Sequence, residues 1–186
     1  MMIPNRENSA IIFLDLQEEI IRNSRTRSAA QLDLAASSLA RLAALHAIPA
    51  FLSAVPPGGA FLPSVLSQLP AIAPRMRTQT TAFSDPGLVA DLKSSGRGVL
   101  VLAGVATEIV VQRTALDALG AGYRVLLAVD ACGGVDARTE EAAFRRITAA
   151  GGATSSVVTF AAELAGDFTT ALGGATLGIM YALLGG

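Results

Sequence analysis

Short apolar runs alternate with longer amphipathic segments along this chain. The run at residues 10–15, AIIFLD, is continuously apolar and ends in a carboxylate. Strands that are apolar on both faces are typical of parallel sheets covered by helices on each side. The pattern predicts strands at residues 10–15, 49–54, 98–103 and 124–129, with weaker candidates at 74–78 and 155–159.

The segments between these runs have helical character. Residues 28–45 carry an apolar stripe at helical spacing, and Pro86 suits the first turn of a helix over 85–94. Further helices are predicted at 107–119 and 138–149. The alternation of strands and helices predicts one α/β domain over residues 1–186, with a doubly wound parallel sheet between two helical layers.

Composition excludes several classes of function. Fourteen basic and 15 acidic residues give a net charge of -1, which argues against binding to nucleic acid or to an anionic membrane surface. No apolar run reaches the length needed to span a bilayer, and the first residues lack the layout of a signal peptide. We therefore expect a cytoplasmic protein.

Single counts exclude further classes of site. Cys132 is the one cysteine and His46 the one histidine, so an internal disulfide framework and the usual zinc ligand sets are absent. The chain also lacks a GxGxxG fingerprint after the first strand and a phosphate-binding P-loop. We expect no metal and no cofactor.

Candidate chemistry lies where the predicted strands end, because ligands bind beyond the carboxyl ends of the strands in open α/β sheets. Asp15 and Gln17 follow the first strand, and the segment GVATEIV at 104–110 follows the fourth. A carboxylate at the end of a strand can instead cap the next turn. The end of the strand alone leaves both roles open for Asp15.

Three segments carry a resemblance to a known family. They are IIFLDLQ at 11–17, TTAFSD at 80–85 and VLAGVATEIVVQRTALDALGAGYRVLLAVDACGG at 101–134. From about residue 10 to residue 168, the chain resembles the isochorismatase-like cysteine hydrolases. The resemblance implies six parallel strands in the order 3-2-1-4-5-6, a cis peptide bond at Val105–Ala106, and a homo-oligomer. It also implies hydrolysis of small amides, ureido acids or an enol-pyruvyl ether.

The family's usual Asp-Lys-Cys site is incomplete in this sequence. Asp15 matches the aspartate, Arg77 stands at the lysine position, and Val110 stands at the cysteine position. Valine has no nucleophilic atom, so no acyl-enzyme can form there. Arginine keeps the positive charge but cannot donate a proton. The resemblance also places Gln17, Phe83, Val105 and Ala106 at the ligand.

Several residues have a plainer interpretation. Arg77 is either a surface arginine or a partner of Asp15 or of an anionic ligand. We expect Cys132 to be buried and inert, since it follows a different strand. Glu108 suits the first turn of a helix, and His46 suits the end of one.

Three functions remain open. The first is a cysteine-independent hydrolysis that uses Asp15, the second is non-catalytic binding of a small carboxylate or amide, and the third is an oligomeric structural or partner-binding role. An open cavity with Asp15 facing Arg77 favours the first two, and a cavity plugged by Val110 favours the third. The tail at 169–186 is expected to form a subunit contact, because its apolar side chains would otherwise be exposed: Leu177, Ile179, Met180, Leu183 and Leu184.

Overall fold

A six-stranded parallel sheet forms the centre of the computed structural model, which describes residues 3–185. The strand order is β3-β2-β1-β4-β5-β6, which confirms the predicted fold. The strands are β1 (Ser9–Leu14), β2 (Ala50–Ala54), β3 (Arg75–Met76), β4 (Val99–Val105), β5 (Arg124–Gly133) and β6 (Ala153–Ser155).

Within residues 3–185, eight helices and two short helical turns connect and cover the strands. The helices are α1 (Glu18–Ile21), α2 (Ala29–Leu45), α3 (Pro63–Gln68), α4 (Pro86–Ser94), α5 (Gln112–Gly120), α6 (Ala137–Ala149), α7 (Val157–Ala165) and α8 (Ala171–Leu184). A 3-10 turn spans Ala82–Ser84, and a π-helical turn spans Thr107–Val111. The helix predicted at 107–119 therefore begins as a π-helical turn and continues as α5.

Each face of the sheet has its own hydrophobic core. Ile11 and Phe13 of β1 face the core formed with α2, α3, α7 and α8. Ile12 and Leu14 face the core formed with α4, α5 and α6. Successive side chains of a strand point to opposite faces, so a strand buried on both sides is largely apolar, as β1 is after its first residue, Ser9.

The strand predicted at 155–159 is wrong, because most of this segment is helical. β6 ends at Ser155, and α7 begins at Val157. The Ser156 hydroxyl caps this helix by accepting a hydrogen bond from the backbone N–H of Thr159. Asp130 also accepts a bond from the Val157 N–H, at 2.8 Å. The β-branched residues in this segment favoured a strand, but capping and burial against the sheet stabilise a helix.

The C-terminal helix α8 packs on α7 and α2 of its own chain. Ile179 is buried in the core, and Met180 and Leu183 are partly buried against it. The expectation that the tail's apolar side chains are exposed without a partner is therefore wrong for Ile179, which the chain itself covers. Tyr181 and Leu184 remain 64% and 68% exposed.

A buried hydrogen bond joins α8 to the end of α2. The Nε2 atom of His46 lies 2.8 Å from the Thr176 hydroxyl oxygen. Burial lowers the pKa of His46. The histidine thus has the structural position that its place at the helix end predicts. None of the described helices combines the length and apolar character needed to cross a membrane.

Candidate functional site

A buried ion pair lies at the carboxyl edge of the sheet. The Arg77 guanidinium donates from Nη1 to Oδ1 of Asp15 at 2.6 Å and from Nη2 to Oδ2 at 2.7 Å. Nη1 also donates to the Ser53 hydroxyl at 3.0 Å. Asp15 and Arg77 are each 5% exposed. Arg77 is therefore the partner of Asp15, and the surface alternative is wrong.

The strand order brings these three side chains together. Ser53 lies in β2, while Asp15 and Arg77 directly follow β1 and β3, the neighbours of β2 on its two sides. The backbone of Asp15 has a φ of 52°, in the left-handed region that Asp tolerates better than most residues. The chain turns sharply there, and the carboxylate is held at the end of the sheet.

The electrostatics of the pair combine two opposing effects. Burial raises the pKa of the Asp15 carboxyl, and the Arg77 guanidinium opposes that rise through its hydrogen bonds and its charge. A buried carboxylate must be paired and hydrogen-bonded to stay ionised, and the two-pronged contact with arginine supplies both.

Arg77 keeps N–H groups that Asp15 and Ser53 do not use. Its Nε atom is buried and has no hydrogen-bond partner among the described residues. Nη2 carries two hydrogens, and among residues 3–185 it has one acceptor, Asp15. The guanidinium therefore has donor capacity left for a further acceptor.

The end of β4 forms an apolar wall beside this pair. Leu14 pairs with Gly104 in the parallel ladder, so the end of β1 lies next to the start of the GVAT segment. A side chain at Gly104 would collide with the backbone oxygen of Leu14. The Val105–Ala106 peptide bond is cis, as predicted. The π-helical turn that follows places Val110 in the wall, where it is 1% exposed.

The pair and the wall enclose an open cavity of about 650 Å³. This volume lies within the range of small-molecule sites. Val110 lines the cavity without filling it. The lining residues are Asp15, Ile20, Asn23, Arg25, Val55, Arg77, Thr78, Gln79, Thr80, Val105, Ala106, Ile109, Val110 and Val135.

Two of the predicted ligand contacts lie outside this lining. The Gln17 amide accepts a bond from the Val55 N–H at 2.9 Å and donates to the carbonyl oxygens of Val55 and Gly59. Phe83 packs edge-to-face on Tyr123, with ring centroids 6.0 Å apart. Gln17 therefore fastens the loop after β2, and Phe83 packs against the core. Their contact with a ligand stays a prediction.

Sequence reasoning missed much of the lining. Asn23 and Arg25 lie in the loop between α1 and α2, and Thr78–Thr80 follow β3. Val135 follows the end of β5, whereas Ile109 lies within the segment at 104–110 that the sequence did indicate. The rule that loops at carboxyl ends form the site could have indicated all three loops, but no local motif marks these residues.

The sole cysteine lies in the core. Cys132 is fully buried beside β4, with its sulfur 3.9 Å from the carbonyl oxygen of Leu102. Burial raises the pKa of its thiol to about 12. A thiolate is the reactive form, so this thiol is inert at neutral pH. Lys93, the sole lysine, is exposed in the last turn of α4 and does not line the cavity.

Glu108 fastens the wall instead of facing the cavity. Its Oε1 atom accepts bonds from the Val135 N–H at 3.0 Å and from the Thr139 hydroxyl at 2.6 Å. The Thr107 hydroxyl donates to Glu140 at 2.7 Å. These bonds tie the π-helical turn to α6. Over residues 3–185, no cluster of three or more His, Cys, Asp or Glu side chains is placed to hold a metal ion.

Comparisons with known proteins agree with this architecture. The family model "Isochorismatase domain" matches residues 9–158. The probable hydrolase YcaC of Escherichia coli K12 is 26% identical over 151 residues, which cover 79% of this chain and 73% of that protein.

Solved structures share the fold over nearly the whole chain. YcaC from Pseudomonas aeruginosa, solved with hexane-2,5-diol and covalent acrylamide, is 26% identical and has a TM-score of 0.89, covering 98% of this chain and 94% of that one. The Escherichia coli YcaC structure, described as an octameric hydrolase of unknown specificity, is 24% identical with a TM-score of 0.91, covering 98% and 91%. The present chain belongs to the isochorismatase family.

Proposed function

We propose that this protein binds a small carboxylate or amide in its cavity and does not perform cysteine-dependent hydrolysis. The observation that carries the proposal is the open cavity with Val110, instead of a cysteine, in its wall. The cavity argues against a decayed, closed site, and the valine argues against covalent catalysis.

No other group in the lining is equipped to replace the missing thiol. Thr78 and Thr80 supply the only hydroxyl groups of the lining, and no histidine or lysine accompanies them. An alcohol needs an adjacent base to become a nucleophile. Both oxygens of Asp15 already accept bonds from Arg77, which leaves the carboxylate poorly placed to act as that base.

Arg77 supplies the anchor for the ligand. The N–H groups that Asp15 and Ser53 leave unused can donate to a carbonyl or carboxylate oxygen. Hydrogen bonds from a charged donor are roughly twice as strong as neutral ones. The apolar side chains of Val105, Val110 and Ile109 exclude water from the rest of the ligand.

Binding is tested by thermal shift and calorimetry with a panel of small amides and carboxylates. We expect the wild type to be stabilised by some of these compounds. Arg77→Lys should weaken binding, because lysine lacks the planar fork. Arg113→Lys, on a surface arginine paired with Asp117, is the matched control and should bind like the wild type.

Catalysis is tested in the same samples with iodoacetamide. Alkylation should leave every property of the folded protein unchanged, because Cys132 is buried. If the purified protein hydrolyses a small amide and alkylation abolishes that activity, Cys132 is the nucleophile and the proposal is overturned.

Cysteine-independent hydrolysis is the second candidate. It is favoured by the raised pKa of the Asp15 carboxyl, since a general acid must hold a proton near its working pH. In this case the protein would hydrolyse an enol ether such as isochorismate, and Asp15→Asn would abolish turnover. Turnover that survives alkylation but not Asp15→Asn would replace the binding role with this one.

The proposal extends to assembly and location. The chain forms a homo-oligomer of single domains, residues 1–186, with the tail at 169–186 in a subunit contact. In support, α8 carries no charged residue, Tyr181 and Leu184 are exposed on it, and one structural relative is described as octameric. A cytoplasmic location without a nucleic-acid partner rests on the composition and the net charge of -1.

Light scattering at micromolar concentration tests the assembly. Tyr181→Glu with Leu184→Glu should lower the measured mass, whereas Met76→Glu, at an apolar residue that is also exposed, should leave it unchanged. A monomeric wild type with a folded C-terminal helix would overturn this part of the proposal.

A further inference from the structure

Arg25 contributes a second positive charge to the cavity, on its solvent side. Unlike Arg77, it is exposed, and it reaches the lining from the loop between α1 and α2. We infer that Arg25 selects ligands that carry a carboxylate at the end remote from Arg77. This inference rests on the proposed binding function and names the ligand class.

Backbone hydrogen bonds hold Arg25 in position. Its N–H donates to the carbonyl oxygen of Gly134 at 2.7 Å. The N–H of Gly134 donates in turn to the Thr26 hydroxyl at 2.8 Å. The loop that carries Arg25 is thus fastened to the segment after β5, which carries the lining residue Val135. The backbone of Arg25 is therefore held in place, although its side chain is long.

The charge of Arg25 is not neutralised within the cavity. The lining holds three charged residues, the carboxylate of Asp15 and the guanidinium groups of Arg25 and Arg77, which sum to +1. Asp15 and Arg77 neutralise each other through their two-pronged contact. No carboxylate in residues 3–185 forms a salt bridge with Arg25. The net charge of the cavity is therefore the charge of Arg25.

Apolar side chains complete the description of the ligand. Ile109 and Val135 line the cavity and are 52% and 44% exposed, so both side chains are open to contact with a ligand. An apolar segment of a ligand would cover them. The ligand class that fits is a short organic acid with a carboxylate at one end, an apolar body, and an amide or carbonyl oxygen at the other.

A matched series of compounds tests this inference. The probes are ω-amide carboxylates such as succinamate, glutaramate and adipamate, together with the corresponding diamides, which have the same shape without the charge. Calorimetry at low and high salt should show that the best ω-amide carboxylate binds about three- to five-fold more tightly than its diamide, as expected for an exposed charge pair. Salt should reduce that preference.

Two variants separate the possible outcomes. Arg25→Gln should abolish the preference for the carboxylate, so that each acid and its diamide bind alike. Arg22→Gln removes the same charge from an exposed neighbour that does not line the cavity, and it should retain the preference. Equal binding of acids and diamides by the wild type, or equal effects of both variants, overturns the inferred role of Arg25. Either outcome leaves the proposed binding function in place. Failure of every compound to bind overturns the proposed function, and this inference with it.

Discussion

The two sides of the cavity differ in their chemistry. The charged floor, Asp15 with Arg77 and Ser53, holds a complete hydrogen-bonded ion pair at the ends of three adjacent strands. The apolar wall lines the cavity but offers no nucleophile; it consists of Val105, Ile109, Val110 and Val135. The floor is held by pairing of charges, and the wall is held by packing and by the hydrogen bonds of Glu108 and Thr107. The difference shows that the form of a site and its reactivity depend on separate interactions.

Breaking the floor should have the largest effect. Arg77→Met leaves Asp15 buried without its partner, and removing one member of a buried pair costs about 3–5 kcal/mol. The free energy of unfolding from urea titration measures the loss. Arg113→Met, which breaks an exposed pair with Asp117, should cost less than about 1 kcal/mol. A loss of equal size for both variants would mean that the floor contributes nothing beyond a surface contact.

The core behind the wall should respond to alkaline pH. The Cys132 thiol has a pKa raised from 9.0 to about 12 in the folded protein, so the unfolded chain loses this proton first. Its stabilising contribution is complete below pH 9 and is lost as the pH rises toward 12. The free energy of unfolding should fall by roughly 2 kcal/mol between pH 9 and pH 11 from this group.

The control for this effect is Cys132→Val. Other groups titrate in both proteins, so the difference between their pH profiles isolates the thiol. Parallel profiles above pH 9 would show that the thiol is accessible in the folded state, and the contrast between an inert core thiol and an open cavity would disappear.

The close contact between β1 and β4, which connects the floor to the wall, depends on Gly104. A methyl group there would collide with the backbone of Leu14, directly before Asp15. Gly104→Ala should lower the free energy of unfolding by about 1–3 kcal/mol, as overpacking does. Gly98→Ala, where an added methyl group meets no atom within 4 Å, is the matched control. A neutral Gly104→Ala would mean that β1 and β4 separate easily at this point.

Restoring the missing side chain should have the smallest effect on stability. Val110→Cys replaces one small apolar side chain by another and should cost less than about 1.5 kcal/mol. Mass spectrometry after brief treatment with iodoacetamide should find one adduct, at position 110. With Arg77→Lys added, this thiol should also ionise below its usual pKa if the wall still stabilises negative charge. An adduct at Cys132 in the folded protein would contradict this prediction, because it would show that the core thiol is accessible.

The sequence predicted the sheet well because its information is local. Strand β1 is buried on both faces, and five of its six residues are apolar, the exception being Ser9. Helix α2 has an apolar stripe that starts at a Ser28–Gln31 capping box. The segment at 155–159 failed for the same reason. Its β-branched residues favour a strand locally, while the contact between Asp130 and Val157 that supports the helix joins residues 27 positions apart.

The candidate site was predicted in part. The resemblance to the family indicated Asp15, Arg77, Val105, Ala106 and Val110, and the structure places all five in one cavity lining. It also indicated Gln17 and Phe83, whose side chains contact a loop and a neighbouring ring and do not line this cavity. Their roles depend on what folds next to them, which no motif records.

The sequence by itself determined the alternation of strands and helices, the absence of a thiol at position 110, and the presence of a carboxylate and an arginine at matched positions. Tertiary structure decided that Asp15 and Arg77 meet, that Cys132 is inert, that Ile179 is covered, and that Arg25 reaches the cavity. The physical reason is distance along the chain. Periodic burial is set by neighbours a few residues away, whereas the pairs Asp15–Arg77 and Arg25–Gly134 form only when the sheet brings separate loops to one edge.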